Sequence, residues 1–374
     1  MISRERLQGV TFVVAAIAVL AWLSHNFSAN LVAKGITIDF GFLKEATSFP
    51  IGESLISYSS GDSYLRALTA GLLNTIRLAI AGIALATVFG VIVGLTARIG
   101  HPLLTRAAKI YVEFTRNVPL LLILVVCATV VRALPGPRQA WAPLDGVMLS
   151  SRGLYMPLPL FEDGIALLTA AILLIAVAWA IMRLSLRGKN ETGAFPRSGK
   201  LALAGFGAVL IGLCAWGFST MTLDRPALVG FNFRGGWSVT PEYLAMLFGL
   251  AFYTSGFIAE IVRGSLAALP KGQSEAASSL GLGPFLTLWL VLAPQALRLM
   301  LPPLANQYLN LIKNTTLAVL IGYPDLVSVG NTALNQTGRA IETVTIYLLI
   351  YLSLSLVTSV LIRRLEKRAQ LVKL

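Results

Sequence analysis

Apolar runs long enough to cross a lipid bilayer recur along this chain, and no other feature restricts its fold as much. A helix needs about 20 apolar residues to span a hydrocarbon layer roughly 30 Å thick. Eight stretches reach or approach that length: 9–27, 69–97, 117–134, 164–183, 200–219, 242–263, 300–322 and 344–362. The seventh is the least apolar of them. Charged residues occupy only 13% of the 374 positions, against about 25% in soluble domains. Mean hydropathy is +0.76. A soluble protein with an outsized core is excluded, and the expected fold is an all-α membrane protein of about eight transmembrane helices. The run from Met1 to Phe27 opens with basic residues as a secretory leader does. It lacks a clean small-residue cleavage site and carries Trp22 and His25 at its end, so it reads as a retained first span.

The formal charge is +13. Its basic residues cluster at the ends of apolar runs instead of forming one basic and aromatic face, which argues against a nucleic-acid partner. They act as topology signals, because cytoplasmic loops carry the excess of Lys and Arg. One orientation satisfies every loop, with both termini cytoplasmic. Arg98, Arg106, Lys109 and Arg116, the segment from Arg183 to Lys200, the 264–299 loop and the tail from Arg363 then share one side. The other side receives the mixed-charge segment 28–66 and the proline-rich segment 135–163, expected to be a loop or a small irregular cap.

Several chemistries are poorly served. Cys127 and Cys214 lie inside apolar runs, which speaks against a disulfide framework or a thiolate metal site. His25 and His101 have no neighbours at ligand spacing, and no metal site is expected. The linker RGKNETGAFPRSGK, 187–200, only resembles a phosphate-binding loop. Gly193 and Gly199 are separated by five residues where four are needed, and Leu201 stands where Ser or Thr would hold magnesium. No catalytic constellation stands at usable spacing, so neither enzyme activity nor a cofactor bound by this chain is expected. An ion-gradient-driven secondary transporter would carry internal repeats and mid-span acids. Such acids are scarce here, which leaves it the weaker alternative.

The stretch from Gly272 to Thr316 is built differently from the rest. Ser274 can cap a short helix, Glu275 suits the positive end of its dipole, and Ala276 and Ala277 leave a smooth surface. Gly281 supplies a left-handed stop, and Pro284 suits the first turn of the next helix. A helix of about two turns is unstable alone in water. It has to dock, and small residues permit close approach to a groove in a partner.

Glu275-Ala276-Ala277, Gly281, Val291, Ala293 and Pro294 resemble the EAA signature of ABC importer permeases, with Val291 and Ala293 standing where the family has Ile and Leu. The texts FIAEIVRGSLAALPKGQSEAASSLGLGP and NQYLNLIKNTTLAVLIGYPDLVSVGNTALNQTGRAIE resemble the polar amino-acid (histidine/glutamine-type) branch. So does GLLNTIRLAIAGIALATVFGVIVGL followed by IYVEFTRNVPLLLIL. These motifs cover about 66–126 and 240–362, and the remainder resembles the long permeases of general L-amino-acid importers. The resemblance implies a type I ABC importer permease core of five helices. Residues 1–65 would hold a first span and periplasmic segment, 66–126 and 242–374 the two parts of the core, and 127–241 an insertion with two extra spans. Within the second part, 265–299 would be the EAA coupling loop and the tail would be basic.

The resemblance further implies that Gln273, Ser274, Glu275, Ala276, Ala277, Gly281, Leu282 and Gly283 meet an ATP-binding cassette ATPase dimer, which binds ATP and Mg. The other implied partners are a second, related permease, in a heterodimer rather than a homodimer, and a periplasmic amino-acid-binding protein. The cargo would be L-amino acids, and the location a bacterial inner membrane.

In 300–322, Asn306, Asn310, Lys313 and Asn314 fall on one helical face with Gln307 beside them, opposite Leu304, Leu311, Ile312 and Leu317. A lysine facing lipid at mid-span costs at least about 2.5–3.5 kcal/mol, so this face is expected to turn towards protein or a wet path. Amides offer donors and acceptors without net charge, as a zwitterionic amino acid requires. Asn306, Gln307, Asn310, Lys313, Asn314 and Thr315 form the candidate substrate pathway, with bonding to neighbouring helices as the other use of these groups. Glu113 with Arg116, and Glu260 with Arg263, are spaced i to i+3 and expected to form structural ion pairs. Arg77 either snorkels outward or meets a substrate carboxylate.

Overall fold

A computed structural model of the chain describes residues 4–99, 101–161, 177 and 221–371. The expected spans at 164–183 and 200–219, and the linker 187–200, lie outside the described residues. The main helices are α1 (Arg4–Ala33), α2 (Tyr64–Ile99), α3 (Pro102–Asn117), α4 (Leu120–Arg132), α5 (Pro241–Ala267), α6 (Lys271–Ser279), α7 (Ala293–Asn314), α8 (Leu326–Thr337) and α9 (Ala340–Leu371). Among the described residues, five stretches are long and apolar enough to cross a membrane: Thr11–Ala33, Tyr64–Thr96, Pro241–Ala267, Pro284–Ile321 and Ala340–Lys367. They become six if α3 and α4 count as one broken span.

Two spans differ from the expectation for identifiable reasons. The run 117–134 yields a helix of only 13 residues, α4, because Pro119 forces the preceding Val118 into extended backbone (φ −96°, ψ 130°) and separates α4 from α3, which ends at Asn117. The run 300–322 is too short. Gln295, Arg298 and the pair Pro302-Pro303 dilute its hydropathy, yet the helical path starts at Pro284 and passes through a π-helical stretch, Thr287–Leu292, into α7. Backbone groups freed by proline inside such a helix are satisfied by neighbouring helices and side chains.

The chain divides into two compact units. The first comprises 1–123 and 246–374. Its core joins Ala86 of α2, Ala251, Ile258 and Val262 of α5, and Met300, Leu304 and Leu311 of α7. α2 and α5 touch closely because Gly90 and Gly94 have no side chains. A Cβ at Gly90 would lie 2.6 Å from Ile258 Cβ, and one at Gly94 2.7 Å from Val262 Cβ. This is small-residue packing of the kind that brings membrane helices together. α7 packs along α9, and α8 along α2.

The segment before α2 is tied to the same unit. Phe42 and Phe49 are buried with Tyr64, Ala67, Val329 and Ala333. Glu53 forms an ion pair with Arg77, the two side chains being 10% and 15% exposed. Arg77 is therefore neutralised within the chain. Asn74 Nδ2 donates to Glu53 O (2.7 Å) and to Pro324 O (2.9 Å), and Leu326 N donates to Thr75 Oγ1 (3.0 Å). The buried Asp325 caps α8 by accepting from Ser328 N (2.8 Å).

The second unit, 124–245, adds strands that the sequence reading of 135–163 as a loop or cap did not anticipate. Strands β1 (Trp141–Leu144), β2 (Val147–Ser150), β3 (Gly153–Met156) and β8 (Trp237–Val239) form an antiparallel sheet in the order β1-β2-β3-β8. The antiparallel pair of β4 (Leu158–Phe161) with β5 (Met221–Asp224) and the hairpin of β6 (Ala227–Val229) with β7 (Asn232–Arg234) accompany it. The prolines hid these strands without forbidding them. Pro143 sits on β1, an edge strand, where a missing donor is tolerated. Asp145-Gly146 is the two-residue turn into β2, with Leu144 opposite Val147.

The buried Glu53–Arg77 pair gives a stability prediction. Removing one partner leaves the other charge uncompensated, so Glu53→Ala is expected to destabilise the purified chain by about 3 kcal/mol in a denaturant or thermal melt. The double change Glu53→Gln with Arg77→Met should recover most of that loss, and equal losses in both variants would contradict the pairing.

Candidate functional site

α6 is seated on the π-helical stretch that leads into α7. It begins one turn earlier than Ser274 would set it. Pro270 is the N-cap residue, its carbonyl accepts from Gln273 N (3.1 Å), and no side chain caps the helix. Ser274 and Glu275 therefore sit in its second turn. Gly281 has φ +76°, the left-handed stop expected there, and Pro284 opens the next helical turn.

The helix turns Ala277 inward, with only 2% of its surface exposed. Ala277 seats the helix on its own chain. Glu275, Ala276 and Gly281 lie exposed, while Ser274 and Leu282 are half-buried and Gly283 is exposed. Beside them stands a residue the sequence reading passed over, Leu280, 81% exposed. Gln273 Oε1 accepts from Gln295 Nε2 (3.1 Å), and that amide also donates to Val291 O (2.9 Å). The foot of α7 is thus bonded directly to α6.

Further along α7, Leu304, Leu311 and Ile312 are buried, whereas Asn306, Asn310 and Lys313 are exposed and Gln307 and Asn314 half-buried. Among the described residues, none of these five polar side chains hydrogen-bonds within the chain. Lys313 and Thr316 line a hollow of about 420 Å³ with Val327 of α8 and Tyr347, Tyr351 and Ser355 of α9. Thr315 is not in this hollow. It is fully buried, donates to Ile312 O (2.7 Å) and meets Tyr351 OH at 3.5 Å, behind the wall. Asn306 and Asn310 continue the face outside the hollow. Tyr347, Tyr351 and Ser355 recur every four residues along α9, a stripe that helical spacing makes visible.

Of the two expected ion pairs, one forms. Arg263 Nε and Nη2 donate to Glu260 Oε2 (2.9 Å) and Oε1 (2.5 Å). Among the described residues Glu113 and Arg116 make no ion pair. Arg116 stands in the last turn of α3, where a cation suits the dipole. All four residues line one cleft of about 380 Å³.

A multi-span helical unit with a short seated helix at one end and an unpaired polar face on the helix rising from it defines a membrane transport component. Residues 201–371 match the family described as the binding-protein-dependent transport system inner membrane component. The chain is 43% identical over 377 residues to the amino-acid ABC transporter permease protein YhdX of Escherichia coli (strain K12), covering 99% of this chain and 95% of that protein. It is 41% identical over 364 residues to the general L-amino acid transport system permease protein AapQ of Rhizobium johnstonii, covering 96% and 91%. It is 36% identical over 413 residues to the glutamate/glutamine/aspartate/asparagine transport system permease protein BztB of Rhodobacter capsulatus, covering 99% and 96%. The chain belongs to the ABC transporter permeases of binding-protein-dependent systems.

The two faces of α6 predict opposite responses. Ala277→Leu forces bulk into the seat and should lower stability by about 1–3 kcal/mol, read as a lower melting temperature. Leu280→Ala, at an exposed position, should stay within about 0.5 kcal/mol of the parent. Equal melting of the two variants would place Ala277 on the outer face instead.

Proposed function

We propose that this chain moves L-amino acids inward as the permease subunit of an ATP-driven importer, with hydrolysis in a separate subunit. The observation that carries the reading is α7 itself. One helix is bonded to α6 at its foot through Gln295 and Gln273, and carries the unpaired Asn306, Asn310 and Lys313 higher up. The cargo class follows from the relatives, a general L-amino acid system and one for glutamate, glutamine, aspartate and asparagine. A route for such molecules needs donors, acceptors and limited net charge. The hollow at Lys313 offers an ammonium and the hydroxyls of Thr316, Tyr347, Tyr351 and Ser355.

In this reading α6 rests against an ATPase dimer that holds ATP and Mg, through Leu280, Ala276 and Glu275 rather than Ala277. A second, related permease completes the path, and a loaded binding protein delivers cargo on the far side. Both termini lie in the cytoplasm of a bacterium, because the basic loops all fall on the side of α6. ATPase closure tilts α7 about its middle, so that access to the hollow alternates between the two sides.

The test is uptake of radiolabelled L-glutamine and L-glutamate by proteoliposomes holding the full assembly. Uptake should require ATP, and Lys313→Met with Asn310→Ala should lower it about tenfold or more while the assembly still purifies intact. Leu280→Asp should release the ATPase on affinity purification. Uptake that ignores ATP and collapses with the proton gradient would overturn the reading.

A further inference from the structure

The cleft between α3 and α5 holds more charge than its single ion pair explains. One wall is α3, where Lys109, Glu113 and Arg116 recur at i, i+4 and i+7 on one face. The other wall carries Glu260 and Arg263, already joined to each other. α2 contributes Val93, Gly94 and the hydroxyl-bearing Thr96. Among the described residues Lys109, Glu113 and Arg116 make no ion pair and no side-chain hydrogen bond, so three exposed charges, two positive and one negative, face a space of about 380 Å³. That volume lies near the lower bound of small-molecule pockets, about 300–1,000 Å³.

The signs select the ligand. A simple anion would satisfy Lys109 and Arg116 and leave Glu113 opposed to it. A simple cation would satisfy Glu113 and meet two like charges. A molecule with an oxyanion and an ammonium a few bonds apart complements all three groups. Arg116 suits the oxyanion end because its planar fork binds carboxylate or phosphate through two parallel bonds.

We propose that this cleft is a binding site for a zwitterionic head, its oxyanion held by Arg116 and Lys109 and its ammonium by Glu113. It lies apart from the hollow at Lys313, at the end of α5 from which α6 follows. Two sources present this chemistry: a free α-amino acid, whose use here rests on the transport reading above, and the headgroup of phosphatidylethanolamine.

The experiment uses the full assembly with its ATPase and without the binding protein, stripped of lipid in an uncharged maltoside detergent. L-Glutamine is titrated by equilibrium dialysis, and phosphatidylethanolamine against phosphatidylglycerol by native mass spectrometry. One of these zwitterions should bind, and Arg116→Gln and Glu113→Gln should each weaken it about tenfold or more. Arg116→Lys should restore much of the affinity, which separates charge from folding. If L-glutamine is the ligand, L-glutaminamide and N-acetyl-L-glutamine should both bind poorly to the wild type. If the lipid is, phosphatidylglycerol should compete poorly. Binding of neither zwitterion, or binding indifferent to both substitutions, overturns the proposal. ATP-driven uptake by the same protein, reconstituted in proteoliposomes and supplied with its binding protein, is measured alongside. Uptake without cleft binding refutes this site alone, and absence of uptake refutes the transport reading.

Discussion

The seat of α6 is the constraint through which the rest of this structure acts. A nine-residue helix has too few internal hydrogen bonds to persist by itself, and its order comes from the surface beneath it. Ala277 is small enough to let the two backbones approach, and the Gln273–Gln295 bond fixes the register between α6 and the foot of α7. Because the underside is committed to the chain's own π-helical stretch, only the opposite side is left for another molecule.

Membrane energetics then decide what α7 can be. Its apolar side is consumed by packing against α2, α5 and α9, which leaves the amides and Lys313 on the side that faces away from the core. Left against hydrocarbon, that side would be costly, by several kcal/mol for the lysine alone. A polar flank of this kind is stable only if something wet or polar completes it. The α9 hydroxyls of Tyr347, Tyr351 and Ser355 extend the polar strip onto the neighbouring helix.

Much of the architecture could be read before any coordinates. The runs 69–97, 242–263 and 344–362 fall within α2, α5 and α9, because uninterrupted apolar length is a strong signal. Hydropathy says nothing about what Pro119 does to Val118, so the break between α3 and α4 escaped it. Short strands punctuated by prolines likewise carry too little period to register, and β1 to β4 were read as irregular. At the site, helical spacing found the α7 face. It did not reveal which side of α6 is inward, since Ala276 and Ala277 are chemically alike and only their placement separates them. Thr315, grouped with the candidate path residues, is buried and does not line the hollow at Lys313. The Glu113–Arg116 pair failed because spacing permits a bond without requiring one, and the α3 side chains turn to the cleft instead.

Pro302 and Pro303 lie inside α7 between its foot and Asn306. Neither can donate to the carbonyl four residues before it, so the acceptors of Arg298 and Leu299 lose their usual partners in the ladder. The rod is weakest there, a short distance beyond the contact with α6 and before the first exposed amide. Bending between the foot and the amide-bearing portion therefore meets least resistance at that joint, with stiffer helix on either side.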